Sequence, residues 1–356
     1  MKLNQTKLLF ISISDVANGA EQLLLTTAII GKAPMLFLKK EKQHCLTIGE
    51  NQNVTYASKR SILLGLLKLP FLLIPYRKHY TIISTHPYLN AYLGLLKRIS
   101  FVQSKLIVRE CSSVFTRYNG AKKLSYKIAY QLGYLGADLV ICQTELMKND
   151  FLYHNKFFPV RNVLVKGNPI DQKAIINSAL ITKSDIDTYQ PYLCAAGRLI
   201  PEKGFETLIR AFSIVRKSHP ELNLVILGEG PERQNLMDLI DELDLKQHVL
   251  LKGWIANPMP YFKNAKGCVM SSVKEGFPNV LLQMMLLNPV VVSTICAGGI
   301  AEIPGILTVP IRNPKALATT IIAALYKKIP GSGRKKMEYL NQRNPRNFLT
   351  SILEHL

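Results

Sequence analysis

The chain has 356 residues, which is long for one hydrophobic core and sufficient for two domains. Its composition, with 48% hydrophobic and 19% charged residues, is ordinary for a globular protein. The net charge of +21 is uneven, because residues 1–180 contain 24 Lys and Arg against 9 Asp and Glu, and the remainder contains 21 against 15.

A basic first half predicts an anionic partner, such as a phosphorylated lipid, a membrane surface or a nucleic acid. The sequence has no zinc-finger spacing and no RNA-binding aromatic signature, so we expect no nucleic-acid partner. Six cysteines are scattered without metal-ligand spacing, which predicts reduced thiols in a cytosolic protein. We also expect no secretory signal peptide, because Met1–Thr6 leads directly into a strand-like run.

Strand-like and helix-like runs alternate through the first half, which predicts parallel β-α-β units. The predicted strands are Leu8–Ser14, Pro34–Leu38, Ile82–Thr85, Leu106–Glu110, Ala137–Gln143 and Val163–Lys166. The predicted helices include Ala20–Ile30, Tyr88–Ile99 and Ala121–Leu135.

One apolar segment, Ile62–Tyr76, has basic residues on both sides. It is too short to cross a bilayer, which requires about 20 apolar residues. Two interpretations remain open: a buried helix of the first domain, or an interfacial helix whose flanking cations (Arg60, Arg77 and Lys78 among them) contact anionic lipid headgroups.

A second alternation follows a polar stretch that has no clear apolar period. Its predicted strands are Tyr192–Ala196, Leu222–Leu227, Val249–Trp254, Gly267–Ser271 and Val290–Thr294, and its predicted helices are Phe205–Lys217, Glu232–Leu243, Val280–Leu287 and Pro314–Lys327, with a final helix at Phe348–Leu356. The sequence therefore predicts an α/β protein of two Rossmann-like doubly wound domains facing a central cleft. The predicted division is 1–171 for a first domain, 172–190 for a linker, 191–330 for a second domain and 331–356 for a tail that returns to the first domain.

Two loops in the second half contain charged residues directly after predicted strands. The first runs from Gly197 to Gly204 and contains Arg198 and Lys203; the second contains Glu275. Loops at the carboxyl ends of parallel strands share one crevice, where ligands bind. Two cations suit a diphosphate and a carboxylate suits sugar hydroxyls, so this set predicts a nucleotide-sugar site. The first loop alone would equally fit a plain turn with Arg198 in a surface ion pair.

The second loop continues into a predicted helix start, which adds donor-binding candidates. Gly276 permits close backbone approach, Phe277 follows it, and Pro278 and Asn279 precede a helix whose positive end would point into the crevice. A third loop, Cys296–Glu302, has paired glycines that could expose N–H groups to a ligand or simply form a tight turn.

Five segments in register carry a family resemblance: GNPID, GRLIPEKGFETLIRAF, LVILGEGPERQNL, VLLKGW and SSVKEGFPNVLLQMM. With them the chain resembles the retaining GT-B glycosyltransferases of the glycogen-synthase-like and sucrose-synthase-like family 4 group. The likeness is strong from Gly167 to Leu325 and weaker before Val163. It is greatest to members that build bacterial surface polysaccharides and lipid-linked oligosaccharides.

The resemblance implies roles for the second-half residues. Arg198 and Lys203, beside Gly197, would bind the donor diphosphate, and Glu275 would contact the donor sugar. The family usually has a second acid eight residues later that holds the ribose, and here that position is Gln283. Glutamine can still bond a hydroxyl, but more weakly than a carboxylate does.

The resemblance also implies that residues 1–171 form the acceptor-binding domain and residues 191–330 the nucleotide-sugar-binding domain. It further implies site residues in the first half. Gly19 remains from a family Gly-Gly turn, in which Asn18 replaces the other glycine, and His86 matches a histidine near the donor sugar and acceptor. The acceptor and cleft candidates are Arg109, Glu110 and Asn168.

The function implied is the retaining transfer of a hexose or N-acetylhexosamine from a nucleotide-diphosphate sugar, expected to be UDP-linked, to a lipid-linked or surface-polysaccharide acceptor. No metal and no cofactor are expected, because the cations and the helix N-terminus supply the charge. The protein is expected to be bacterial, cytoplasmic and peripherally attached to the inner face of the cell membrane. Two rivals are a non-hydrolysing UDP-sugar epimerase of the same fold and a degenerate, non-catalytic partner of an active transferase.

Overall fold

The computed structural model describes residues 6–181, 190–326 and 333–356. The chain divides into two compact units. Unit 1 comprises Met1–Pro169 and Arg343–Leu356, and unit 2 comprises Ile170–Gln342.

Unit 1 contains a seven-stranded parallel sheet in the order β3-β2-β1-β4-β5-β6-β7. Its strands are β1 Lys7–Ser14, β2 Met35–Lys39, β3 Val54–Ser58, β4 Tyr80–Thr85, β5 Lys105–Arg109, β6 Leu139–Cys142 and β7 Val163–Val165. Its helices are α1 Gly19–Ile30, α2 Ile62–Leu73, α3 Pro87–Arg98, α4 Val114–Arg117, α5 Gly120–Gly133 and α6 Glu145–His154.

Unit 2 contains a six-stranded parallel sheet in the order β10-β9-β8-β11-β12-β13. Its strands are β8 Tyr192–Ala196, β9 Asn223–Leu227, β10 Val249–Gly253, β11 Gly267–Met270, β12 Val291–Thr294 and β13 Leu307–Val309. Its helices are α7 Gln172–Ala179, α8 Phe205–Val215, α9 Arg233–Glu242, α10 Met259–Asn264, α11 Asn279–Leu287, α12 Pro314–Tyr326 and α13 Arg334–Asn341.

The last helix, α14 Pro345–Glu354, belongs to unit 1. It packs with α1 against one face of the unit 1 sheet, and α2, α3, α5 and α6 cover the opposite face. Unit 2 is likewise covered on both faces, with α8 and α12 in one cluster and α10 and α11 in the other. Sheets buried on both faces explain why the central strands read as continuous apolar runs.

Each sheet has one topological switch point, where the strand order reverses. In unit 1 it lies between β1 and β4, and in unit 2 between β8 and β11. Ligands of open α/β sheets bind outside the carboxyl ends of the strands at such points. Ligand-binding residues are therefore expected in the loops that follow these four strands.

The structure corrects several predicted elements. Residues 172–190 were predicted as a linker, but α7 occupies Gln172–Ala179. The Asp171 side chain caps this helix by accepting a hydrogen bond from the Ala174 N–H. Residues 182–189 of the predicted linker lie outside the described residues. The predicted tail contains α13, and β3 and β13 were not predicted. All six cysteines are free thiols.

Candidate functional site

The loop after β8 is held against β11 by a glycine. Gly204 ends a 3-10 turn, Pro201–Lys203, with φ of +61° and begins α8. A Cβ at this position would lie 2.2 Å from the Ser271 carbonyl oxygen, so a larger residue would push the two loops apart. The left-handed conformation also favours glycine. Glycine at position 204 therefore allows these two loops to lie close together.

An ion pair joins these loops at the switch point. The Nζ atom of Lys203 lies 2.5 Å from Oε1 of Glu275, and the Ser272 hydroxyl donates to the same oxygen over 2.9 Å. The side chains are 22% and 17% exposed, so both reach solvent. The Lys203 side chain passes over Gly197, where an added Cβ would lie 3.3 Å from its Cδ atom. The predicted partners Gly197, Lys203 and Glu275 are therefore brought together.

Backbone hydrogen bonds add a third loop to this arrangement. The Val273 N–H donates to the Glu202 carbonyl over 2.7 Å, and the Glu275 N–H donates to the Cys296 carbonyl over 3.0 Å. The loop that begins at Cys296 contains Gly299 in the left-handed region, with φ of +79°. The ends of β8, β11 and β12 are thus linked into one rigid edge.

Helix α11 begins immediately beyond Glu275. Gly276, Phe277 and Pro278 lead into it at Asn279, and the N-cap residue, Pro278, makes no side-chain capping hydrogen bond. The positive end of the helix dipole therefore lies at Asn279, four residues after Glu275 along the chain. Gln283 lies one turn further along α11 and is partly exposed.

Arg198 is exposed in the loop after β8. Among residues 6–181, 190–326 and 333–356, its guanidinium has no hydrogen-bond or ion-pair partner. A bidentate donor that is not already occupied is suited to a phosphate.

The switch point of unit 1 has a different composition. His86 follows β4 with φ of +83°, a strained conformation for histidine, and its Nε2 lies 2.6 Å from Oε1 of Glu21. Glu21 lies in the first turn of α1, beside Gly19, and is 1% exposed. Its second oxygen, Oε2, is buried with no hydrogen-bond partner among the described residues.

Two of the predicted acceptor residues bond to each other inside unit 1. Arg109 is 2% exposed and donates through Nη2 to the side-chain oxygen of Asn168, which is 1% exposed, and through Nη1 to the Cys111 sulfur. Acceptor contact by Arg109 and Asn168 therefore stays a prediction, and their observed partners are internal.

The expectation for Glu110 requires a correction. Its two carboxylate oxygens accept hydrogen bonds of 2.5 Å from the hydroxyls of Tyr130 and Tyr134, whose rings stack at 3.9 Å. Successive strand residues point to opposite sides, so the residue after buried Arg109 turns into the helix layer. Burial raises the pKa of Glu110 from 4.5 to about 7, opposed by the two tyrosine hydroxyls. Glu110 is a buried packing residue and not a surface contact.

Sequence reasoning missed Glu21 and Ser272. The signal for Glu21 was a single carboxylate in the apolar run GAEQLLLTTAII, because an unpaired acid is rarely buried in a helix. Ser272 lies three residues before Glu275, and nothing in the sequence showed that its hydroxyl would turn back to the carboxylate.

Comparison with known proteins identifies the family of this chain. The family model for glycosyl transferases group 1 matches residues 177–344. An N-acetylgalactosamine-N,N'-diacetylbacillosaminyl-diphospho-undecaprenol 4-alpha-N-acetylgalactosaminyltransferase of Campylobacter jejuni is 32% identical over 250 residues, which cover 68% of this chain and 67% of that protein. LpsE of Rhizobium meliloti, a lipopolysaccharide core biosynthesis glycosyltransferase, is 30% identical over 51% of this chain and 52% of its own length.

Solved structures show the same fold. HepE of Anabaena, in complex with UDP and glucose, superposes with a TM-score of 0.79 at 19% identity, covering 99% of this chain and 100% of that one. A UDP-forming trehalose-phosphate synthase from Burkholderia xenovorans gives 0.75 at 14% identity, with 98% of each chain covered. The fold is GT-B, and the match to the Campylobacter enzyme over two thirds of both chains places this protein in the glycosyl transferases group 1 family.

Proposed function

We propose that this glycosyltransferase moves a hexose or N-acetylhexosamine from a UDP-sugar to a lipid-linked or surface-polysaccharide acceptor, with retention of anomeric configuration. The observation that carries the proposal is the Lys203–Glu275 pair, joined at 2.5 Å on the switch-point edge of unit 2 beside the start of α11. This edge presents cations and a carboxylate together, as a diphosphate and a sugar require.

Each member of the pair retains capacity for substrate. Lysine has three donors, so Lys203 can hold Glu275 and still donate to a phosphate oxygen. Lys203 and Ser272 both donate to Oε1 of Glu275, which leaves Oε2 to accept a sugar hydroxyl. As the bond from sugar to diphosphate breaks, Lys203, Arg198 and the positive end of α11 stabilise the charge that develops on the leaving group.

The names of similar proteins support the donor and acceptor classes. HepE binds UDP and glucose, and the Campylobacter enzyme is named for an α-linked N-acetylgalactosaminyl transfer to a diphospho-undecaprenol substrate. A diphosphate lipid acceptor would be anionic and would lie at a membrane, which fits the basic first half of this chain. We therefore propose peripheral attachment to the cytoplasmic face of the membrane, with no metal or cofactor in the reaction.

The test is a transfer assay with the purified chain, a panel of UDP-sugars, and a polyprenyl-diphosphate-linked saccharide acceptor. We expect one UDP-sugar to give a product only when the acceptor is present, and the reaction to proceed in EDTA. NMR should show that the product keeps the anomeric configuration of the donor. Turnover of the UDP-sugar without acceptor would favour the epimerase. Binding of UDP without any turnover across the panel would favour the non-catalytic partner, and a product of inverted configuration would contradict retention.

A further inference from the structure

Helix α2 has two faces of opposite character. Gly65, Leu69 and Leu73 are buried against the sheet, and a Cβ at Gly65 would lie 2.3 Å from the Leu38 carbonyl oxygen, which fixes this face inward. The residues on the outer face are apolar and 53–74% exposed; they are Leu63, Leu67, Phe71 and Ile74. The segment that the sequence left open is thus a helix with an exposed apolar stripe.

Helix α5 repeats this arrangement with the same spacing, a feature that sequence reasoning did not identify. Tyr126, Tyr130 and Gly133 are buried. The outer residues are 48–57% exposed; they are Leu124, Ile128, Leu132 and Leu135. In each case the first three residues recur at i, i+4 and i+8 within the helix, which places them along one side. The fourth, Ile74 or Leu135, lies in the 3-10 turn that directly follows the helix.

The two stripes belong to the same face of unit 1. Both helices pack on one hydrophobic cluster, and α3 lies between them. The Tyr92 hydroxyl of α3 donates to the Leu66 carbonyl of α2, and the Tyr88 hydroxyl of α3 bonds Ser125 of α5 over 2.7 Å. The outer sides of α2 and α5 therefore point away from the sheet in the same direction.

The charge around these helices has one sign. Residues 51–137 contain 13 Lys and Arg and a single acid, Glu110, whose side chain is buried. Exposed cations accompany both stripes, among them Arg60, Lys68 and Lys127. Arg77, one of the expected lipid contacts, is partly buried and stacks over the Phe101 ring at 5.4 Å, whereas Lys78 is exposed.

We propose that the outer sides of α2 and α5 form one docking surface for an anionic lipid bilayer, with the two helices lying in the headgroup layer. Apolar stripes bordered by cations and without acids match a negatively charged interface. No helix among the described residues is long and apolar enough to cross a membrane, so the contact is interfacial. The inference deepens the proposed function, because a lipid-linked acceptor would be presented at this surface.

The test is cosedimentation of the full chain with vesicles of phosphatidylcholine alone or mixed equally with phosphatidylglycerol. We expect binding to the anionic vesicles, weakening between about 0.1 M and 1 M salt as the Debye length falls from about 10 to 3 Å. The α5 pair Ile128→Glu with Leu132→Glu, and separately the α2 pair Leu67→Glu with Phe71→Glu, should each lower the partition coefficient about tenfold or more. Met237→Glu, an exposed position on α9 of unit 2, is the matched control and should bind as wild type.

Circular dichroism and thermal melting check that each variant folds, and Ser pairs at the same positions replace any Glu pair that does not. An α5 pair that binds like wild type would overturn the two-helix surface, and so would a wild-type chain that stays in the supernatant. A dimer in sedimentation velocity that these same pairs dissociate would assign the surface to a second copy instead. Vesicle binding needs no donor, so the two outcomes are separable. A chain that transfers sugar without binding vesicles contradicts this surface and the proposed membrane attachment but not the transfer reaction, and a chain that binds vesicles without transfer contradicts the transfer reaction alone.

Discussion

The two units have the same doubly wound topology but use their charged residues in different places. In unit 2, Lys203, Glu275 and Ser272 are linked to one another on the edge where the strand order reverses. In unit 1, that edge holds Gly19 and the Glu21–His86 pair, whereas Arg109 and Glu110 are buried. Most of the excess positive charge of the first half instead accompanies the outer helices.

This contrast explains why one half of the chain is rich in recognisable motifs. Binding a diphosphate and a sugar demands particular groups at particular loop positions, whereas a bilayer demands only a basic and apolar surface. Substitutions at the unit 2 edge should therefore change turnover with little loss of stability. Substitutions in the interior of unit 1 should change stability, and the following predictions test that division.

The largest expected effect is at the diphosphate contact. Lys203→Ala should lower turnover about 100-fold or more, because it removes a cation that stabilises the leaving group in the transition state. The free energy of unfolding should change little, since the side chain reaches solvent. Steady-state kinetics and thermal melting measure both, and Lys315→Ala on the exposed side of α12 is the control. Wild-type turnover in Lys203→Ala would contradict the assignment.

A second prediction concerns the interior of unit 1. Since burial raises the pKa of Glu110 to about 7, the folded protein holds this proton more tightly than the unfolded chain does. The contribution of Glu110 to the free energy of unfolding should therefore fall as the pH rises from about 4.5 to 7. Glu110→Gln should remove that fall, changing the difference between variant and wild type by about 2 to 3 kcal/mol from pH 5 to pH 8.

Urea denaturation at the two pH values measures this difference. An unchanged difference would show that Glu110 ionises normally in the folded protein. Turnover of Glu110→Gln at pH 6, where the native side chain is largely protonated, should remain close to wild type.

A third prediction addresses the edge of unit 1. Glu21→Gln should lower turnover about tenfold, because the neutral amide holds the His86 ring less firmly than the carboxylate does. Glu50→Gln, on the exposed surface of the same unit, is the control. Turnover equal to wild type in a folded Glu21→Gln variant would show that Glu21 has no part in the reaction.

The smallest expected effect is at Gln283, which stands where the family usually has an acid. If Gln283 faces the ribose, Gln283→Glu should leave UDP affinity unchanged or strengthen it by a few-fold, because a carboxylate accepts a hydroxyl hydrogen bond more strongly. Isothermal titration calorimetry measures the change. Loss of UDP binding in a folded variant would show that the site is built around a neutral group at this position.

Much of the fold could be predicted because the central strands are buried on both faces and contain runs of consecutive apolar residues, such as Leu8–Ile11 in β1. The strands β3 and β13 were missed because β3 is half-exposed at the sheet edge and β13 has three residues. Helix α7 was missed because only one of its residues, Ala179, is buried, so it shows no strong apolar period. Its start was signalled by Asp171, whose side chain caps it.

For the site, spacing along the chain placed Lys203 and Glu275 correctly at the ends of neighbouring strands. It could not show which way side chains turn at a strand end. Glu110 was predicted to be available to a substrate, but alternation along β5 carries it between Tyr130 and Tyr134. The outer stripe of α5 was also missed, because the inward tyrosines of the same helix obscure its apolar pattern.

The central claim is that the unit 2 edge binds a nucleotide through its diphosphate. It is tested most directly by comparing the affinities of UDP and uridine, by isothermal titration calorimetry, for wild type and for the double variant Arg198→Ala with Lys203→Ala. We predict that wild type binds UDP at least 100-fold more tightly than uridine, in the presence of EDTA, and that the double variant loses most of this difference. Equal affinity of the wild-type protein for UDP and uridine would contradict the account.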